Sequence, residues 1–439
     1  MILDLRALRR DSGGFFHYFP HMKYLKPAYI LVLFISLSAC KSTAQWEGQG
    51  PIQIIETEDQ PISYQAKQTW DVGNGIFLSN QFEGARVNEV NRVNDTLIQV
   101  TILPENEPIN PSPWYAFKLW SKNPQDFWIE FSYSERGFHR YYPKLSTDGK
   151  IFANADSSSF FLPNSAERRP NKAYLKVKAS SDTIWVAAQD RVGTAHVQEW
   201  KEMLLQKDFV ELIPIGKSKE GRPLDVLKIG EADDREMLMV ISMQHPPELT
   251  GYLAMQAFVE EIIKDSPEAR RFRSKYNLYL MPQMNPDGVA NGHWRHNSGG
   301  IDLNRDWVNF NQPETIALAE LMEKKVQESG GKFVFAADFH STWEDIFYTN
   351  NEELEGNFPG LIPKVIKRSS KRISGYIPNI RPNEGKERSV TSNSYFFFVH
   401  QAESMTFEVG DNTPRDIIRM KGQYLGEELI RILNKKKWK

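Results

Sequence analysis

The apolar run Met237-Leu238-Met239-Val240-Ile241 ends just before His245-Pro246-Pro247-Glu248. Such a run reads as a buried strand, so the histidine and the glutamate stand where a strand ends and the next element begins. An imidazole and a carboxylate at this spacing can reach one Zn²⁺, and such a site needs one more ligand and an open position for water. Phe333-Val334-Phe335-Ala336-Ala337-Asp338-Phe339-His340 offers a second histidine, again at the end of an apolar strand. A third strand, Met405-Thr406-Phe407-Glu408, delivers another carboxylate. Two His, one Glu and a spare Glu are the parts of a hydrolytic zinc site. A single His-x-x-Glu is more often a coincidence of surface or core, so the stretches between these residues decide its weight.

Those stretches are Asn285-Pro286-Asp287-Gly288, then Trp294-Arg295, then Asp302-Leu303-Asn304-Arg305-Asp306-Trp307. Together and in this order they resemble the zinc carboxypeptidase (funnelin) family, over residues 195–439. The resemblance implies one Zn²⁺ per chain, held by His245, Glu248 and His340, with Glu408 as general base. It implies that Arg295 stabilises the developing oxyanion and that Asn304 and Arg305 grip the substrate's terminal carboxylate. A planar guanidinium suits a carboxylate because it donates two parallel bonds. Asp302 would orient His245 from behind, a common zinc arrangement. Taken alone, Glu408 would be an edge-strand carboxylate in a salt bridge, and Arg295 and Arg305 would be surface pairs. Asn297 and Gly299-Gly300 between them make a loop, where functional residues concentrate.

Two expectations of the resemblance find no clear residue. The mobile tyrosine that the family places upstream of its catalytic glutamate has no counterpart between Pro382 and Ser394; Tyr395 resembles a different family position, and Tyr376 is a remote candidate. The side-chain pocket falls around Thr391–Tyr395 by loose alignment. Arg388, in Glu384-Gly385-Lys386-Glu387-Arg388, either contacts substrate or belongs to a solvated charge run. His293, His296 and His400 read as local hydrogen-bonding residues.

Composition bounds the rest. The chain has 439 residues, 40% hydrophobic and 12% aromatic, enough for two or three packed domains. Net charge is −2. Residues 1–40 hold five basic and two acidic side chains, a net +3, which leaves −5 for the remainder. No nucleic-acid partner is expected, since that would want a basic surface. The one cysteine, Cys40, follows the apolar run Ala28–Ala39 behind Lys23 and Lys26. Basic and apolar regions of this length read as a signal peptide rather than a membrane span. Leu37-Ser38-Ala39-Cys40 resembles the lipobox of bacterial lipoproteins, which implies lipidation at Cys40 and a lipid-anchored protein of the cell envelope. An ordinary secretory signal with an incidental cysteine is the alternative, and Met22 reads as the biological start.

Periodicity divides the chain. Residues 41–50 are polar and read as a tether. From 51 to 190 short strands dominate: Phe127, Ile129, Phe131 and Tyr133 alternate with Trp128, Glu130, Ser132 and Ser134. Several such strands separated by turn residues predict an all-β sandwich. A β-sandwich ahead of a zinc domain is similar to the cytosolic carboxypeptidases, a branch that removes glutamate residues. An amphipathic linker helix is expected over 195–207. From 209 on, strands alternate with helices near 248–265, 313–328 and 413–433, which predicts an α/β sheet with helices on both faces; the resemblance makes that sheet mixed. Ligands gather at the carboxyl ends of such strands, where His245, His340 and Glu408 fall.

The expected function is therefore hydrolysis of C-terminal residues from peptides with a free carboxylate. Two alternatives remain open: a murein-peptide amidase using the same chemistry, and a binding lipoprotein with an inert zinc domain.

Overall fold

The computed structural model describes residue 52 and residues 55–163 and 169–438. The signal segment, Cys40 and the tether lie outside the described residues.

Alternation in the first half produces two sheets. One runs in the order Glu89–Asn94, Leu97–Ile102, Gln125–Tyr133, Lys172–Ala179 and Phe160–Phe161. The other joins Thr69–Gly73, Ile76–Ser79, Ala116–Ser121, Ile184–Ala187, Lys144–Ser146 and Ala153–Asn154. Strand residues alternate between faces, so Val100, Ile129, Phe131 and Leu175 from one sheet meet Leu78, Phe117, Leu119 and Val186 from the other in a single core. One further member of that core, Trp294, comes from far downstream.

The second half folds around an eight-stranded sheet. Its order is Val210–Lys217, Pro223–Ile229, Asn277–Met281, Glu236–Ser242, Lys332–Thr342, Glu403–Gly410, Ile346–Thr349 and Ile380–Pro382. The four middle strands are parallel and antiparallel pairings flank them, so the sheet is mixed. Both faces are covered, which is why the central strands read as unbroken apolar runs. Leu238 and Val240 enter the core under Leu249–Ile262 and Arg415–Leu433. Met237, Met239 and Ile241 enter the core under Pro313–Ser329. Sandwich and sheet pack as one compact unit.

Several elements were not expected from periodicity. The strands Ile346–Thr349 and Ile380–Pro382 are too short to show a period, and the helix Leu361–Ser370 lies between them. The helix Ser392–His400 contains Tyr395-Phe396-Phe397-Phe398-Val399, residues of modest helix propensity. It forms because Thr391 caps it and tertiary burial holds it.

The helix that follows Glu248 lies directly against the strand carrying His340. A Cβ on Gly251 would stand 2.4 Å from the His340 carbonyl oxygen and 2.8 Å from its amide nitrogen. Gly251→Ala should therefore force helix and strand apart. We expect a cost of about 1–3 kcal/mol, read as a lower urea midpoint, together with weaker zinc retention. An unchanged midpoint would show that the helix shifts freely.

Candidate active site

His245 and Glu248 sit in the turn between the strand Glu236–Ser242 and the helix Leu249–Ile262, and Glu248 is the residue before that helix. His340 belongs to the adjacent parallel strand, and Glu408 to the next one. The register of these two strands puts His340 directly opposite Glu408. Three strand ends thus bring four side chains far apart in sequence to one place.

The geometry of the first three is that of a metal site. Ligand atoms of His245, Glu248 and His340 all lie within 4.8 Å of one another, and all three residues are buried. His245 Nδ1 is 2.9 Å from Glu248 Oε1, and His340 Nδ1 is 2.6 Å from Glu248 Oε2. The far ring nitrogens are each anchored: His245 Nε2 to Asp302 Oδ1 at 2.8 Å, His340 Nε2 to Asp338 Oδ2 at 2.8 Å. A carboxylate can only accept, so each anchor keeps a proton on Nε2 and leaves Nδ1 as the donor atom for a cation. Two imidazoles and one carboxylate with a position to spare are the ligand set of catalytic zinc.

Without a cation the balance of charge is uneven. Burial disfavours the His340 imidazolium, but Asp338 and Glu248 outweigh it and hold its pKa well above the usual value. Burial likewise opposes ionisation of Glu248, yet His245 and His340 keep its carboxyl well below the ordinary range. For Glu408 burial and the Glu248 charge win over His340, His245 and Arg140, and its pKa is pushed up to about 7. Its Oε2 is buried and has no hydrogen-bond partner. A carboxylate near neutrality with a free oxygen beside a cation site is suited to accept a proton from water.

Asp302 is shared. Its Oδ2 accepts from Arg295 Nε at 2.7 Å while Oδ1 holds His245 and the Asn304 amide. Asp302 is kept ionised, its pKa well below the ordinary value, because Arg295, His245 and Arg305 outweigh burial. Arg305 lies in the short turn Leu303–Arg305, half-buried, with Nη1 donating to Asn304 O at 2.8 Å. Asn304 Oδ1 accepts from Ser392 N at 3.0 Å, which fixes the orientation of its amide.

The sequence expectations fare unevenly around this centre. The five residues of the stretch Thr391–Tyr395 are buried, at the start of the helix Ser392–His400. Ser392 bonds Asp338, and Tyr395 packs on Trp307 and Phe310. Arg388 lies over Phe310 and Tyr395 and donates to Trp307 O. It stays exposed in the charged stretch 384–388 while these contacts hold its guanidinium. Tyr376 has a buried hydroxyl that feels Asp345. His293 bonds His296 O, His296 bonds Asn106, and His400 bonds the Tyr395 hydroxyl.

Other residues went unread. Asp338 stands two before His340 on one strand and so shares its face; that spacing was the available signal. Gln244 donates to Asp338 at 2.6 Å and Trp307 to Gln244 at 2.9 Å. Tyr348 lies in the strand antiparallel to that of Glu408, where Ile346 pairs with Glu408 and Tyr348 with Thr406. Burial and the Glu408 charge raise its phenol pKa. From the sandwich, Arg140 donates to Ser341 O at 3.0 Å and to Asp411 at 2.8 Å, and Glu105 accepts from the Arg295 backbone at 2.9 Å. No local pattern marks either residue.

Residues 197–357 match the sequence model of the zinc carboxypeptidase family. That segment holds His245, Glu248, Arg295, Asp302, Asn304, Arg305, Asp338 and His340; Glu408 lies beyond it, and Glu105 and Arg140 lie before it. An uncharacterized protein of Zymomonas mobilis is 27% identical over 206 residues, 44% of this chain and 52% of its own length. Cytosolic carboxypeptidase 6 of Mus musculus is 27% identical over 193 residues, 40% of this chain and 36% of its own length. The chain thus spans about half or less of these curated relatives. Among solved structures, a metallo-carboxypeptidase from Burkholderia cenocepacia superposes with a TM-score of 0.66 at 15% identity, over 82% of this chain and 98% of that one. A metallo-carboxypeptidase from Pseudomonas aeruginosa, in complex with (2-guanidinoethylmercapto)succinic acid, gives 0.64 at 18% identity, over 81% and 98%. Residues 197–357 thus match a zinc carboxypeptidase model, the chain has the metallocarboxypeptidase fold, and zinc is the metal that its His-Glu-His set fits.

The anchors of the ligands generate a test. Asp338→Asn keeps the shape but removes the charge behind His340. Zinc affinity should fall by about 10- to 100-fold, measured by competition with a chromogenic chelator; unchanged affinity would remove Asp338 from the site. Because Asp338 and Glu248 hold the His340 pKa well above its usual value without a cation, zinc binding should also release a proton, seen as a buffer-dependent calorimetric enthalpy.

Proposed function

We propose that this chain is a zinc-dependent metallocarboxypeptidase that removes C-terminal residues from peptides, with Glu408 as general base. The observation that carries the reading is the strand register that sets Glu408 beside His340, with one carboxylate oxygen buried and unpartnered. A zinc held by His245, Glu248 and His340 supplies Lewis acidity, which brings the pKa of water to about 7 and polarises a scissile carbonyl. Glu408 takes the proton of the attacking water and delivers it to the leaving amine, a role suited to a pKa near neutrality. Arg295 is fixed through Nε to Asp302. Its remaining N–H groups are available for the oxygen on which charge develops, and a donor held in advance needs no reorganisation.

Arg305 and Asn304 receive the terminal carboxylate of the substrate. Both stand on the turn after Asp302, so carboxylate binding is registered against the same aspartate that orients His245. This contact makes the reaction exopeptidic. The lipobox-like segment before Cys40 supports export and a lipid anchor in the bacterial cell envelope, where peptides of the periplasm or cell surface are the accessible substrates.

Glu408→Gln should lower kcat on a peptide with a free C-terminus by about 100- to 10,000-fold while zinc content stays at one per chain. Wild-type turnover in this variant would overturn the role. Arg305→Ala should act differently. It raises KM for free-acid peptides and narrows the preference over the matching C-terminal amides, as shown by comparing the two substrate series.

A further inference from the structure

The residue that aims Arg295 comes from the β-sandwich. Glu105 lies between the strands Leu97–Ile102 and Ala116–Ser121 and is fully buried. Three consecutive amides of the loop that carries Arg295 converge on its carboxylate. Trp294 N donates to Oε2 at 2.7 Å; Arg295 N and His296 N donate to Oε1 at 2.9 and 2.6 Å. The next sandwich residue continues the grip. Asn106 meets His296 Nδ1 through Oδ1 at 2.6 Å and donates to Gly300 O at 3.0 Å. Trp294 itself is buried in the sandwich core, edge-on to Tyr133.

The chemistry favours an anion here. Burial would raise the Glu105 pKa, but His293, His296, Arg86 and the His296 amide hold it at about 2. Burial lowers the pKa of both imidazoles, while Arg86 and the three amides also face the carboxylate. A carboxylate accepting several backbone N–H groups is strongly stabilised. Backbone bonds of this kind fix where residues 294–296 run, and Trp294, anchored in the sandwich core, fixes their rotation. Arg295 then leaves the loop toward Asp302.

We propose that Glu105 is a positioning residue for Arg295, through which the β-sandwich takes part in transition-state stabilisation. It touches neither substrate nor metal ligands. The inference rests on the metallocarboxypeptidase reading, in which Arg295 is the oxyanion donor. Small misplacement of such a donor is enough to slow a reaction severely.

The test is a double-mutant cycle in the zinc-loaded full chain, with a free-acid peptide as substrate. Glu105→Gln keeps the shape and sets an amide against three N–H donors. We expect kcat to fall about 10- to 100-fold with KM nearly unchanged and one zinc retained. In the Arg295→Ala background the same change should cost less than twofold, because the group it positions is gone. A loss that multiplies in that background, or wild-type kcat in Glu105→Gln, would overturn the proposal while leaving the peptidase reading intact. A wild-type chain inactive on all peptides would instead sink that reading. Hydrogen exchange then still decides the structural half: amides 294–296 should lose protection in Glu105→Gln while strand 403–410 keeps its own, and retained protection refutes it. If Glu105→Gln does not fold, Glu105→Asp keeps the charge, shortens the reach and should show the same non-additivity.

Discussion

Asp302 stands between the two halves of the site. One of its oxygens holds His245 Nε2 and the other holds Arg295 Nε, and its Oδ1 also caps the turn that presents Asn304 and Arg305. In the proposed reaction, metal ligand, oxyanion donor and carboxylate grip are therefore referred to a single carboxylate. Such a buried anion is costly unless it is paired and hydrogen-bonded, and Asp302 meets both conditions only while its partners are in place. Removing one leaves a buried charge without compensation, so the arrangement is stable as a set and not as separate pairs. The same logic repeats on the other side, where Asp338 accepts from His340, Gln244 and Ser392 at once.

Strand register does the rest of the positioning. Parallel strands deliver their ends to one edge of the sheet, and the pairing of Lys332–Thr342 with Glu403–Gly410 sets His340 beside Glu408 without any turn chemistry. A shift by one residue would turn either side chain to the opposite face. The apolar residues just before each end, buried on both faces, make that shift expensive. The site is thus located by the core, and the polar residues refine its geometry.

Where sequence reading succeeded, it did so for physical reasons of that kind. The runs ending at His245, His340 and Glu408 are long and apolar because both faces of the sheet are covered, and such runs are visible without coordinates. Asp302, Asn304 and Arg305 were assigned from the resemblance that their motif carries, and they share one short turn. What could not be read depends on contacts distant in sequence. Thr391–Tyr395 is uncharged, and nothing local shows that it is the buried start of a helix whose Ser392 serves Asp338 and Asn304. Arg388 sits in an exposed charged stretch, and nothing local shows that its guanidinium lies over Phe310 and Tyr395. Glu105 and Arg140 carry no local signal, since their partners in the second half lie 189 to 271 residues away.

Those last two residues bear on what the sandwich is for. Glu105 grips the loop that holds Arg295; Arg140 donates to the carbonyl of Ser341, next to His340, and to Asp411, just beyond the strand of Glu408. The two contacts reach the site from different sides, and each sets a buried side chain of the sandwich against backbone or a carboxylate of the zinc domain. A separable binding module would meet its neighbour through an exposed, replaceable surface. Here separation would expose Trp294 and strand Glu105, Arg140 and Asp411 without their partners. The sandwich and the zinc sheet therefore fold as one unit because the charges of each are completed by the other, which weighs against an independent recognition domain beside an inert one.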